Sequence, residues 1–173
     1  MLLAPSIFEL ACVRAETMVA SADAFHDGRA DTDPVYLVLK LRERRLYVMR
    51  PDDDDRPSRR IASFPVAIGR EEYATPTGRF EVMEKIVDPD FLQFDWDNPS
   101  RVIRRVGPGP DNPLGLRWIG FTSAHGWGIG FHGTPQPELL GQAVSHGCVR
   151  MRNSDVVELY GRVRVGTPVI VQP

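Results

Sequence analysis

From Val35 onward, apolar and polar residues alternate with a period of two, the spacing that puts successive side chains on opposite faces of a strand. VYLVLKL (35–41) and RRLYVMR (44–50) are two β-rich runs, and Arg42-Glu43 between them predicts a hairpin. Further strands are predicted over 61–69, 78–86, 116–122, 126–133 and 167–173. PDDDDRPSR (51–59) reads as a polar loop. The stretch 87–113 is long, irregular and ends in VGPGPDNP; loops of that length are usually functional or covering elements. Two segments carry helical signals instead. In 5–22, Phe8, Ala11, Ala15, Met18 and Ala22 form a stripe, and Ser6 and Glu9 have capping-box spacing. SDVVELYGRV (154–163) reads as a short helix with Ser154 as N-cap and Asp155 in the first turn. The polar segment 23–34 between the first helix and the first strand, with His26 in it, reads as a linker. The pattern predicts a mostly-β sandwich or small barrel of about six to eight strands with one or two short helices. It divides the chain into an N-terminal helix and linker (1–34) and one main domain (35–173).

Composition changes this picture little. The 173 residues fit one domain, and 42% hydrophobic with 25% charged residues is ordinary for a globular chain. Fifteen glycines and fifteen prolines imply many turns, which favours β structure over a helical bundle. A net charge of −2 argues against a nucleic-acid partner or an anionic membrane surface. No apolar run approaches the roughly 18 residues that span a bilayer, so no integral membrane segment is expected. The N-terminus lacks a basic leader region and is interrupted by Glu9, Arg14 and Glu16, a poor signal peptide. Nothing in the pattern specifies an oligomeric state.

Candidate chemistry concentrates in FHGTPQPELLGQAVSHGCVRMRNSD (131–155), which holds two of the four histidines and one of the two cysteines. A cysteine nucleophile acts as thiolate, yet a free thiol of pKa about 8.5 is only slightly ionised at neutral pH. It therefore needs a histidine to take its proton, a group to orient that histidine, and amides facing the developing oxyanion. The segment can supply all of these, with Gly133 and Gly147 allowing close backbone approach beside the reactive residues. The competing reading is zinc held by His125, His132, His146 and Cys148, but the spacing fits no common zinc pattern. Cys12 lies on the apolar helix face and reads as a small buried hydrophobe.

SHGCVRM (145–151), preceded by FHGT (131–134), resembles the signature of the YkuD-type L,D-transpeptidases. ATPTGRFEV (74–82) and NPLGLRWIGF (112–121) resemble two further segments of that family, so the likeness covers about 35–173. The resemblance implies a β-rich catalytic domain with Cys148 as nucleophile and His132 as general base and then acid. It implies that the Gly133 carbonyl orients His132, where many relatives have serine, and that His146 lies beside the nucleophile. Amides around Gly147 and Cys148 would form the oxyanion hole. Arg150 would contact a carboxylate or carbonyl of the peptide stem, with Ser145, Tyr73 and Trp118 as further substrate-binding candidates. The implied reaction is two-step acyl transfer between peptidoglycan peptide stems, giving a 3→3 cross-link, or hydrolysis if water is the acceptor. It implies no metal or organic cofactor, a target for carbapenems, and a place in the cell envelope or periplasm.

Overall fold

The computed structural model describes residues 34–52, 57–95, 98, 101–124 and 126–173. The predicted N-terminal helix, Cys12, His26 and His125 lie outside them. In chain order the strands are β1 (Tyr36–Lys40), β2 (Arg45–Arg50), β3 (Arg59–Pro65), β4 (Ile68–Gly69), β5 (Gly78–Glu81), β6 (Glu84–Val87) and β7 (Phe91–Phe94). They continue as β8 (Val102–Val106), β9 (Arg117–Ala124), β10 (Trp127–His132), β11 (Ala143–Ser145), β12 (Val149–Arg150) and β13 (Pro168–Gln172). One α-helix, α1 (Asn153–Arg162), precedes β13, and short 3-10 turns lie at Glu71–Tyr73 and Pro137–Leu139.

The alternation is realised directly in β1 and β2, where Leu37, Leu39, Leu46 and Val48 are fully buried and their neighbours less so. These strands belong to a five-stranded sheet of order β3-β2-β1-β13-β5. A four-stranded sheet has the order β12-β10-β9-β6. Residues of both sheets form one hydrophobic cluster: Leu37, Leu39, Val169 and Val171 from the first, Ile119, Phe121, Ile129, Phe131 and Val149 from the second. This is a sandwich, with each fully buried aliphatic or aromatic side chain worth roughly 1.5–3 kcal/mol of transfer free energy. Helix α1 closes one side of the core with Val156 and Leu159, three residues apart, and contacts β9 and β10.

Among the described residues the fold is mostly β with one α-helix, as expected, but thirteen short strands exceed the predicted six to eight. Two of the predicted strands are each split. The run 78–86 becomes β5, paired with β13, and β6, paired with β9, so the chain changes sheet at Val82-Met83. The run 61–69 becomes β3, paired with β2, and β4, paired with β11. A period of two survives a change of sheet, so alternation alone does not reveal it. The segment 87–113 is not irregular throughout: β7 and β8 form a hairpin in it. Most of β8 is exposed, and a strand without a buried face leaves no alternation to read. Helix α1 begins at Asn153, and its N-cap position is Arg152, with no side-chain capping bond. Ser154 is therefore not the N-cap; its hydroxyl donates to Asp155 Oδ1 at 3.0 Å.

Candidate active site

The site is set by the register of β10 and β12. These strands run parallel, with Phe131 opposite Val149 and His132 opposite Arg150. Phe131 and Val149 are fully buried in the core, so His132 and Arg150 project from the other face. Cys148 immediately precedes β12 and shares that face with Arg150. On the antiparallel side, Trp118 of β9 stands opposite His132. Trp118, His132 and Arg150 therefore form a row across three strands, with Cys148 one pleat behind Arg150. Strand spacing of about 4.8 Å and a rise of about 3.3 Å per residue put the Cα atoms of Cys148 and His132 about 8 Å apart. That diagonal lies within reach of facing side chains.

His132 is buried, and its Nδ1 lies 2.6 Å from the Gly133 carbonyl oxygen. A carbonyl only accepts, so Nδ1 carries the proton and Nε2 keeps its lone pair. Burial pushes the imidazole down to about 4, and the Arg150 charge acts in the same direction; the carbonyls of Gly133 and Pro113 oppose the shift. The indole of Trp118 stacks on the imidazole, with ring centroids 6.0 Å apart at 27°. Trp118 is fully buried, and its Nε1 donates to Glu84 Oε1 at 2.7 Å. Its indole packs against the imidazole and exposes no surface in this structure.

Cys148 is partly buried, with Sγ 3.5 Å from the Gly128 carbonyl oxygen. Burial pushes its thiol up to about 11, against a backbone hydrogen bond from Gly130 and the charge of Arg150. Both shifts favour the neutral thiol and the neutral imidazole over a standing ion pair. Arg150 is itself lowered by burial.

The loop before Cys148 is held from inside. Ser145 is buried; its hydroxyl donates to the Cys148 carbonyl at 2.6 Å and accepts the Gly147 N–H at 3.2 Å. Ser145 thus shapes the turn and does not face outward as a substrate contact. The Gly147 amide, expected in the oxyanion hole, is engaged within the loop here. Gly147 has φ +110°, a conformation that favours glycine. Thr75 Oγ1 donates to the Gly147 carbonyl at 2.8 Å and accepts the Gly69 N–H at 3.0 Å.

His146 is exposed and turned toward a rim of rings. Its centroid lies 4.9 Å from Tyr73 and 6.4 Å from Trp127. The Arg70 guanidinium donates to its Nε2 at 3.1 Å, so His146 is neutral in this arrangement. Burial first, then the charges of Arg70 and Arg150, lower its pKa. Tyr73 and His146 are thus brought together at an exposed edge, joined by Trp127 and Arg70.

Thr75 and Asn112 hold the loops around the candidate site and were left without a role by sequence reasoning, while Asn153 was read only as a helix cap. Buried Asn112 donates from Nδ2 to the Pro89, Val106 and Gly107 carbonyls, tying the β7–β8 hairpin to the turn before β9. Thr75 and Asn112 lie inside the ATPTG and NPLG strings, and that membership was the available signal.

Comparison with known proteins points one way. The family model "L,D-transpeptidase catalytic domain" (YkuD) matches residues 34–171. "Putative L,D-transpeptidase YqjB" of Bacillus subtilis is 39% identical over 110 residues, covering 62% of this chain and 57% of that protein. "Putative L,D-transpeptidase YkuD" of Bacillus licheniformis is 31% identical over 143 residues, covering 83% of this chain and 68% of that protein. The chain thus spans between somewhat over half and about two thirds of these relatives. The solved structure of L,D-transpeptidase 3 from Mycobacterium tuberculosis with a faropenem-derived adduct superposes with TM-score 0.58 and 25% identity, covering 80% of this chain and 60% of that one. Since one model runs from just before β1 into β13, and relatives above 30% identity carry the same description, this chain belongs to the YkuD family of L,D-transpeptidase catalytic domains.

Proposed function

We propose that the domain 35–173 is a peptidoglycan L,D-transpeptidase in which Cys148 is the nucleophile and His132 its base. The observation that carries this reading is the β10–β12 register, which puts His132, Arg150 and Cys148 on one face while Phe131 and Val149 fill the core. His132 has its Nδ1 proton committed to Gly133, which leaves Nε2 as the acceptor for the thiol proton.

The thiol proton passes to Nε2 as sulfur attacks the carbonyl between the third residue of a tetrapeptide stem and its terminal D-Ala. The oxyanion is stabilised by amides of the 146–148 turn, with the Cys148 N–H as the donor outside the Ser145 bond. Collapse breaks the C–N bond, His132 returns the proton to the departing amine, and a thioester remains. The side-chain amine of a second stem attacks the thioester, His132 takes its proton, and the free thiol is restored with a 3→3 cross-link. The burial that depresses His132 favours this concerted transfer over a preformed thiolate. Arg150 receives a carboxylate or carbonyl of the stem, a pairing suited to guanidinium geometry. Tyr73 and His146 form the rim of the donor groove. No cofactor enters these steps. A peptidoglycan substrate places the domain in the cell envelope.

Intact-mass spectrometry after incubation with a carbapenem tests the chemistry. A covalent adduct is expected on the wild type, absent in Cys148→Ala and much slowed in His132→Ala; a well-folded wild type that stays unmodified refutes the reading. Supplying disaccharide-tetrapeptide and weighing the products separates the acceptors: cross-linked dimer supports the transpeptidase, while tripeptide alone assigns an L,D-carboxypeptidase.

A further inference from the structure

Three separate pieces of chain meet behind His132 with almost no room between them. Gly115 closes the turn before β9, and Gly133 follows β10. A Cβ on Gly115 would lie 2.7 Å from Gly133 Cα, closer than any real contact. Asn153, the first residue of α1, enters the same junction: a Cβ on Gly115 would lie 2.1 Å from its Oδ1, and one on Gly133 2.0 Å. The amide side chain is bonded at both ends. Its Oδ1 accepts the Leu116 N–H at 3.1 Å, and its Nδ2 donates to the Thr134 carbonyl at 3.4 Å.

The bonded segments are those that address the base. Thr134 follows Gly133, whose carbonyl holds His132 Nδ1. Leu116 ends the turn that carries Pro113, whose carbonyl also faces His132. Rotating the 133–134 peptide would turn the Gly133 carbonyl away from the imidazole. The contact of Asn153 with Gly133 restrains that rotation directly, and its bond to the Thr134 carbonyl anchors the next peptide unit.

We propose that Asn153 is a positioning residue for the base: by clamping the 115–116 turn to Gly133-Thr134, it fixes the Gly133 carbonyl and hence the Nδ1–H tautomer of His132. It does not touch substrate. The clamp also ties two positions together, because a side chain at 133 and the present placement of Asn153 occupy the same space. A serine at 133 would exclude the asparagine from its present placement. The inference deepens the reading of His132 as base and rests on it for its consequence, but not for its primary readout.

That readout is the tautomer itself, observed by nitrogen chemical shifts in protein labelled with 15N-histidine, with His132 assigned from the spectrum of His132→Asn. The wild type is expected to show one Nδ1–H tautomer, and Asn153→Ala a mixture of the two. Alkylation of Cys148 by iodoacetamide at neutral pH is expected to slow roughly ten- to a hundredfold in Asn153→Ala, the scale seen when a group orienting a functional histidine is removed. Gly133→Ser should reproduce both effects, and Asn153→Ala added to Gly133→Ser should change little further, because both disrupt one contact. A pure Nδ1–H tautomer with wild-type alkylation in folded Asn153→Ala overturns the proposal, whatever its melting temperature. Independent, additive losses in the double variant also overturn it. If instead His132→Ala alkylates as fast as wild type, the base assignment fails, while the tautomer measurement still decides the role of Asn153.

Discussion

Removing the ionisable group at position 132 should change how stability depends on pH, by an amount that the burial of the imidazole sets. His132 is 4% exposed, and its pKa falls from 6.5 unfolded to about 4 folded. Between those values the unfolded chain binds the proton more readily, so folding is stabilised above pH 6.5 and loses that stability as pH falls toward 4. At about 1.4 kcal/mol per pKa unit, the full span is about 3.4 kcal/mol, of which about 2.5 kcal/mol is lost between pH 7 and pH 4.5. Carboxylates titrate over the same range, so the comparison must be with His132→Asn. Asparagine keeps a donor for the Gly133 carbonyl and does not titrate. Urea denaturation of both proteins at pH 7 and pH 4.5 should show the wild type losing about 2.5 kcal/mol more than the variant. Equal losses, to within about 0.5 kcal/mol, would mean that the imidazole is hydrated or already charged, and would refute the neutral, buried base.

Arg150→Gln removes a charge that lowers both His132 and Cys148, so both pKa values should rise and the pH profile of Cys148 alkylation should move to higher pH; an unmoved profile would dissociate Arg150 from both groups. Thr75→Val keeps the shape but leaves the buried Gly147 carbonyl and Gly69 N–H without their partner, costing about 2 kcal/mol or more in urea denaturation and slowing alkylation of Cys148. Trp118→Ala should cost about 3–5 kcal/mol, as truncation of a fully buried indole does, and Trp118→Phe less, since it mainly forfeits the bond to Glu84. Comparable losses in the two would shift the weight from packing to that hydrogen bond.

Much of this protein is legible without coordinates, because the relevant signals are local. Alternation in 35–50 marks β1 and β2, since each strand has one buried face. SHGCVRM and FHGT mark the candidate segment, because the proposed nucleophile, the glycines and the proposed base lie within 17 residues of one another. Glycine at 147 follows from a backbone at φ +110°, a demand confined to one residue. Other features depend on pairings that no short window contains. That Cys148, Arg150 and His132 share a face is decided by a parallel register across the excursion 133–147. Trp118 reads as groove or core with equal ease, since alternation fixes which residues share a side but not what covers that side; packing against His132 and Glu84 decides it. The split of 78–86 between two sheets follows from hydrogen-bond partners far along the chain. Asn153 looks like a helix cap from its neighbours. Its actual partners lie 37 and 19 residues upstream, at Leu116 and Thr134, and only the folded chain brings those backbones within a hydrogen bond of its side chain. The sequence by itself thus determined the mostly-β class, the first strands, the candidate segment and the family. The tertiary structure alone decided which of their faces meet, because side-chain direction is a local property and register is not.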